Sequence, residues 1–186
     1  LKPKESYAVI LVDGLGVANI KAAGGHAGFL NQKLASSQSL FSGFPTTTAT
    51  SLASLATGKQ SGEHAFIGYR VFDRRISKAI NLLNDLGNEL PPRTYQDVET
   101  ISEQGAALGK RMLTVGPAEY ESSGFTQATM PASKYLAAKS FEERFAIARS
   151  ELAKPGALIY LYIPELDQLA HRFGSSSHKW LNTIEE

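Results

Sequence analysis

Three β-rich, mainly apolar runs constrain this chain most: Tyr7 to Val12 (YAVILV), the shorter Arg111 to Val115 (RMLTV) and Ala157 to Ile163 (ALIYLYI). Runs without polar alternation suit strands buried on both faces, the pattern of a parallel sheet covered by helices. Helical patterns fall between them. Residues 17–40 are helix-compatible at both ends, with a break at Gly24-Gly25-His26. Val98 to Leu108 reads as helix, and Ser140 to Ala153 opens on the capping-box pattern Ser140-Phe141-Glu142-Glu143. Strands alternating with helices at this spacing predict an α/β fold, with a mainly parallel central sheet and helices on both faces. Ala65 to Phe72 is a plausible further strand, and Tyr120 to Ala132 reads as loop. Residues 73–96 and 116–139 are expected as surface excursions, the first covering one side of the site.

At 186 residues the chain can bury a full core, and one α/β domain over 1–186 is the expectation. A net charge of +1 gives no electrostatic reason to expect a nucleic-acid partner or an acidic membrane surface. Cysteine is absent, which excludes disulfides, thiolate metal sites and cysteine nucleophiles. Any metal must therefore be held by Asp, Glu, His or hydroxyl oxygen. No apolar run reaches membrane-spanning length and the N-terminus has no signal-peptide core, so a cytoplasmic location is expected. The chain opens on Leu1 and ends on Glu185-Glu186 inside a helix-like pattern. Both ends are expected to be cut.

The stretch Phe44 to Lys59 (FPTTTATSLASLATGK) opens with a proline and a run of hydroxyl residues, which favour a turn and a helix N-terminus. Leu52, Leu55 and Ala56 recur at helical spacing, and Thr57-Gly58 supplies a left-handed stop. A hydroxyl on the first turn of such a helix faces unpaired N–H groups and the positive end of the dipole. That environment suits phosphate binding and a hydroxyl nucleophile; the plainer reading is a Thr/Ser-rich cap. On chemistry alone Thr46, Thr47, Thr48, Thr50 and Ser51 are all eligible to attack.

Asp13 and Asp167 each follow a buried apolar run, which puts both at the C-terminal edge of the sheet, where open α/β folds bind ligands. Asp167 and His171 stand four apart, so a helical turn would put carboxylate and imidazole on one face. Such an oxygen–nitrogen pair suits Zn²⁺ or a similar cation. Taken singly, Asp13 fits a turn residue, and an i,i+4 Asp–His pair fits a surface helix contact. Together with the hydroxyl helix they make up the parts of metal-assisted phosphoryl transfer.

Val12-Asp13-Gly14, then Pro45-Thr46-Thr47-Thr48-Ala49-Thr50 with Thr57-Gly58, then Gly62-Glu63-His64, then Pro164 to His171 (PELDQLAH) follow in order along the chain. This succession resembles the type I phosphodiesterase/nucleotide pyrophosphatase family of the alkaline phosphatase superfamily. The resemblance implies an alkaline-phosphatase-like sheet with two divalent metal ions, zinc or alternatively manganese. It implies that Asp13 and Thr48 share one metal, that Thr48 is the transiently phosphorylated nucleophile, and that Asp167 and His171 bind the second metal. The implied substrate is a small-molecule phosphate ester, with nucleotides among the options. His64 is expected to be structural.

This chain departs from the pattern at Ser51, where nucleotide pyrophosphatases place a phosphate-binding Asn. Ser51 is expected to take that contact, at the cost of nucleotide specificity. The family's Asp-His pair, which completes the metal site with a later His, occurs nowhere in these residues. An N-terminal fragment is expected, holding metal weakly on two protein ligands per position. Alternatives are another hydrolase of the superfamily (acting on phosphonate, phosphomonoester or sulfate ester), a mutase, a dinucleotide-binding module using Gly14 and Gly16, and a non-catalytic partner-binding domain.

Overall fold

A computed structural model describes residues 5–186; Leu1 to Lys4, including the non-Met start, lie outside the described residues. In chain order the elements begin with β1 (Tyr7–Val12), α1 (Val17–Ala23), a 3-10 turn (Gly24–Ala27) and α2 (Gly28–Leu34). Next come α3 (Thr48–Thr57), α4 (Ser61–His64), β2 (Arg70–Asp73), β3 (Lys78–Asn81), α5 (Ile101–Ala107) and β4 (Arg111–Gly116). After a second 3-10 turn (Ala118–Tyr120) follow α6 (Gly124–Thr129), β5 (Lys134–Ala137) and α7 (Phe141–Leu152). The last elements are β6 (Ala157–Ile163), α8 (Glu165–Phe173) and α9 (His178–Glu185).

Four strands make one sheet in the order β1-β6-β4-β5, with β4 parallel to both β5 and β6. This is the helix-flanked α/β sheet that the alternation of patterns predicts. The three apolar runs all form strands, but they are not equally buried. β1 stands at the end of the sheet order, leaving Val9 and Ile10 exposed, against the expectation of burial on both faces. Packing divides the chain into two compact units, one of Ser42–Leu161 with the chain up to Val9, the other of Ile10–Phe41 and Tyr162–Glu186.

In the larger unit α3 buries Leu52, Ala53 and Ala56, and its partners are α4, α5 and α6. Gly58 stops it at φ +69°, its N–H bonding the carbonyl of Ser54 at 2.8 Å. The strand expected over Ala65 to Phe72 shrinks to β2, which pairs antiparallel with β3 in a separate two-stranded sheet. Its first half is diverted because Ala65 turns left-handed at φ 61° after α4 and sends Phe66 into the core. There Phe66 meets Phe125 edge-on, with ring centroids 5.5 Å apart. Within 73–96, Ile80, Leu82 and Leu86 are buried.

The loop expected over Tyr120 to Ala132 contains α6, because Ser123 caps a helix that buries Phe125 and Ala128. Capping also trims α5, where Thr100 and Glu103 form a reciprocal box that starts the helix later than Val98. The box read at Ser140 and Glu143 is present: Ser140 Oγ accepts the Glu143 N–H at 3.2 Å. The smaller unit packs α1, the first 3-10 turn, α2, α8 and α9 around Ala23, Ala27, Leu166 and Trp180. Val12, Leu15, Ile20 and Leu169 close in on that core.

Candidate functional site

Asp13, Asp167 and His171 come together within the smaller unit, while Thr48 and Ser51 belong to the larger one. Asp13 leaves the end of β1 with its N–H bonded to the carbonyl of Ile163, at the end of β6, at 2.9 Å. Both of its carboxylate oxygens are engaged: Oδ1 accepts the N–H of Gly14 at 2.9 Å, and Oδ2 accepts the hydroxyl of Tyr162 at 2.7 Å. Pro164 N-caps α8, placing Asp167 in its first turn and His171 one turn on. The Nε2 of His171 lies 3.6 Å from Oδ1 of Asp167, an electrostatic contact longer than a hydrogen bond.

Gly14 is what lets β1 and α8 approach. It adopts φ +71°, and a Cβ there would stand 2.7 Å from the Cα of Asp167. The Asp167 carboxyl is pushed up from its ordinary range, first by burial and then by the negative charge of Asp13, with His171 pulling the other way. Two carboxylates thus converge with an imidazole on a hard-to-borderline donor set. A cation here would offset the repulsion that raises Asp167, so the residues fit part of a metal site. Among the described residues no three His, Asp or Glu side chains group tightly enough to hold an ion by themselves.

The hydroxyl run of the larger unit sorts itself by hydrogen bonding. Thr47 is the N-cap, its Oγ1 accepting the N–H of Thr50 at 3.3 Å and donating to Thr50 Oγ1 at 3.0 Å. Thr50 is fully buried, and Thr46 donates to the carbonyl of Gly43 at 3.3 Å. The half-buried Thr48 and Ser51 have hydroxyls that make no hydrogen bond among the described residues. Thr48 opens α3, where backbone N–H groups have no intrahelical acceptor. The helix therefore presents a free hydroxyl beside free donors.

His64 is fully buried and structural, as expected. Its Nδ1 accepts the Phe66 N–H at 3.1 Å, which leaves Nε2 to donate to Ser54 Oγ at 2.9 Å. Burial holds its pKa below the ordinary histidine range. In this tautomer it is a donor to Ser54 and no base for it. The Gly14-Leu15-Gly16 turn leaves no room for a dinucleotide: Asp167 fills the space at Gly14, and Asn19 Oδ1 accepts the Gly16 N–H at 3.1 Å.

Two residues of this neighbourhood are missed by the sequence reading, which has Tyr162 only within an apolar run and Gly14 only within a motif. The period of β6 predicts on which side Tyr162 falls, but its partner on another strand depends on sheet order.

A family model described as type I phosphodiesterase / nucleotide pyrophosphatase matches residues 7–186. Among solved structures, murine ectonucleotide pyrophosphatase / phosphodiesterase 5, an inactive threonine-to-alanine variant in complex with AMP, matches with a TM-score of 0.69. That match has 18% identity and covers 98% of this chain and 50% of the other. A further structure of the murine protein and one of its human counterpart give TM-scores of 0.56 and 0.55 at 20% identity, covering 77% of this chain and 39% of theirs. The chain thus spans about half the length, or less, of these relatives, and at such identities the likeness shows a shared fold. No curated protein sequence matches significantly. No described helix is long and apolar enough to cross a membrane. With the family's pattern matched from Tyr7 to the last residue, the chain belongs to the type I phosphodiesterase/nucleotide pyrophosphatase family.

Proposed function

We propose that this chain carries part of the active site of a metal-dependent hydrolase of phosphodiester or pyrophosphate bonds, working through a phosphothreonine. The observation that carries the reading is the convergence of Asp13 and Asp167, with His171 one turn on, in a member of this family. Asp13 would hold one divalent cation, and Asp167 with His171 would hold a second; zinc fits their oxygen and nitrogen donors, and manganese is the alternative. Bound there, such ions polarise phosphoryl oxygens and lower the pKa of a coordinated hydroxyl. Thr48 supplies the attacking oxygen, since its hydroxyl has no structural duty, and it would be a further ligand of the first cation. The N–H groups opening α3 hold a non-bridging oxygen. Thr48 Oγ1, losing its proton, attacks phosphorus and displaces one alkoxide or phosphate group, which leaves Thr48 bonded to a phosphoryl group that still carries its remaining ester; water then breaks the Thr48 O–P bond, releases the phosphate monoester and returns a proton to the hydroxyl.

The substrate is a small phosphate ester. That the murine relative binds AMP favours a nucleotide, as its inactive threonine-to-alanine form favours a threonine nucleophile. Ser51 favours a broader ester, because it offers the phosphate a hydroxyl in place of an amide. Turnover of bis(p-nitrophenyl) phosphate, p-nitrophenyl phosphate and p-nitrophenyl sulfate by the full-length protein separates diesterase from monoesterase and sulfatase. Chelation abolishes the activity and zinc or manganese restores it; full activity after metal is stripped overturns the reading.

A further inference from the structure

We infer that Tyr162 is a positioning residue that orients the Asp13 carboxylate for its cation through a neutral hydrogen bond. This rests on the reading of Asp13 as a metal ligand. Tyr162 is the next-to-last residue of β6, and its half-buried side chain brings the hydroxyl 2.7 Å from Oδ2 of Asp13. The backbone of Asp13 is already tied to the same strand end through Ile163, and Gly14 occupies Oδ1. A hydrogen bond to one oxygen still lets the carboxylate pivot about that contact through coupled turns of its two side-chain torsions. The Tyr162 hydroxyl removes it.

The chemistry of the donor matters as much as its place. A lysine or arginine there would neutralise Asp13 and compete with a cation, whereas a phenol donates a hydrogen bond and leaves the negative charge in place. Each carboxylate oxygen has two lone pairs, so one donor on each leaves one on each for a metal. Outer-shell donors of this kind are worth about 10–100-fold in metal affinity.

Tyr162→Phe keeps the ring and deletes the donor. Zinc is titrated calorimetrically into metal-stripped full-length protein carrying Tyr162→Phe, Asp13→Asn or both, with circular dichroism confirming that each is folded. Cobalt absorption reports the ligand geometry independently. The expected result is a loss of about 10–100-fold in zinc affinity at one position for Tyr162→Phe, with an altered cobalt band. The expected double variant binds no more weakly than Asp13→Asn alone, because the tyrosine acts through the aspartate. Parental affinity in Tyr162→Phe beside weakened Asp13→Asn overturns the role of Tyr162 and leaves the metal reading standing. Additive losses overturn it as well. Parental affinity in both single variants overturns both.

Discussion

Gly14 and Asp167 occupy one space: a Cβ on Gly14 would stand 2.7 Å from the Cα of Asp167 and 2.9 Å from its Cβ. Backbone and not a flexible side chain is what it would meet. The contact sets how near the turn after β1 comes to the first turn of α8, and so how strongly Asp13 and Asp167 feel each other.

Gly14→Ala is therefore expected to act twice. The left-handed φ of +71° costs about 1–3 kcal/mol for a residue with a Cβ, before any clash is counted. Displacement of α8 then separates Asp167 from Asp13 and weakens zinc binding. Denaturant unfolding and zinc titration of the same variant measure the two effects; parental values in both would contradict the packing described.

The neighbouring threonines have separable duties. Thr47→Ala removes the cap on α3 and is expected to cost about 1 kcal/mol of stability while hydrolysis persists. Loss of all activity from a folded Thr47→Ala protein would move the nucleophile from Thr48 to Thr47.

His64 gives the larger unit an acid-sensitive element. Its pKa in the fold lies below the ordinary 6.5, so the unfolded chain binds its proton more readily than the folded one. The stability it contributes is complete above pH 6.5 and is lost as pH falls through the depressed value. Protonating Nδ1 would set its new N–H against the Phe66 N–H it now accepts. Unfolding free energy measured from pH 7.5 downward, in about half-unit steps, should fall more steeply for the parent than for His64→Gln. Equal slopes would rule this out.

Much of the fold was legible because its signals are local. The runs at Tyr7 to Val12 and Ala157 to Ile163 are strands with the bounds read, and the Ser140 cap and Gly58 stop are where the residues put them. What escaped depends on partners distant in sequence. The sequence reads Ala65 as strand because nothing local announces a left-handed cap, and α6 lies in a stretch of Ser, Gly and Thr. Exposure of Val9 and Ile10 follows from the place of β1 in the sheet order, which composition does not encode. Strand ends and helical spacing suffice to put Asp13, Asp167 and His171 in one neighbourhood of the fold. The division of labour among the threonines needed hydrogen bonds, since every member of that run has the same chemistry.

The central claim is that Thr48 carries the phosphoryl group, and its most direct measurement is mass spectrometry of the full-length protein quenched in acid during turnover of a phosphodiester. The expected adduct is the phosphoryl group with its remaining ester on the peptide that contains Thr48, and none with Thr48→Ala, which folds normally and turns over no substrate. Thr48→Ser keeps a hydroxyl and retains part of the rate. Hydrolysis at the parental rate by Thr48→Ala, or the adduct on another residue, would contradict it.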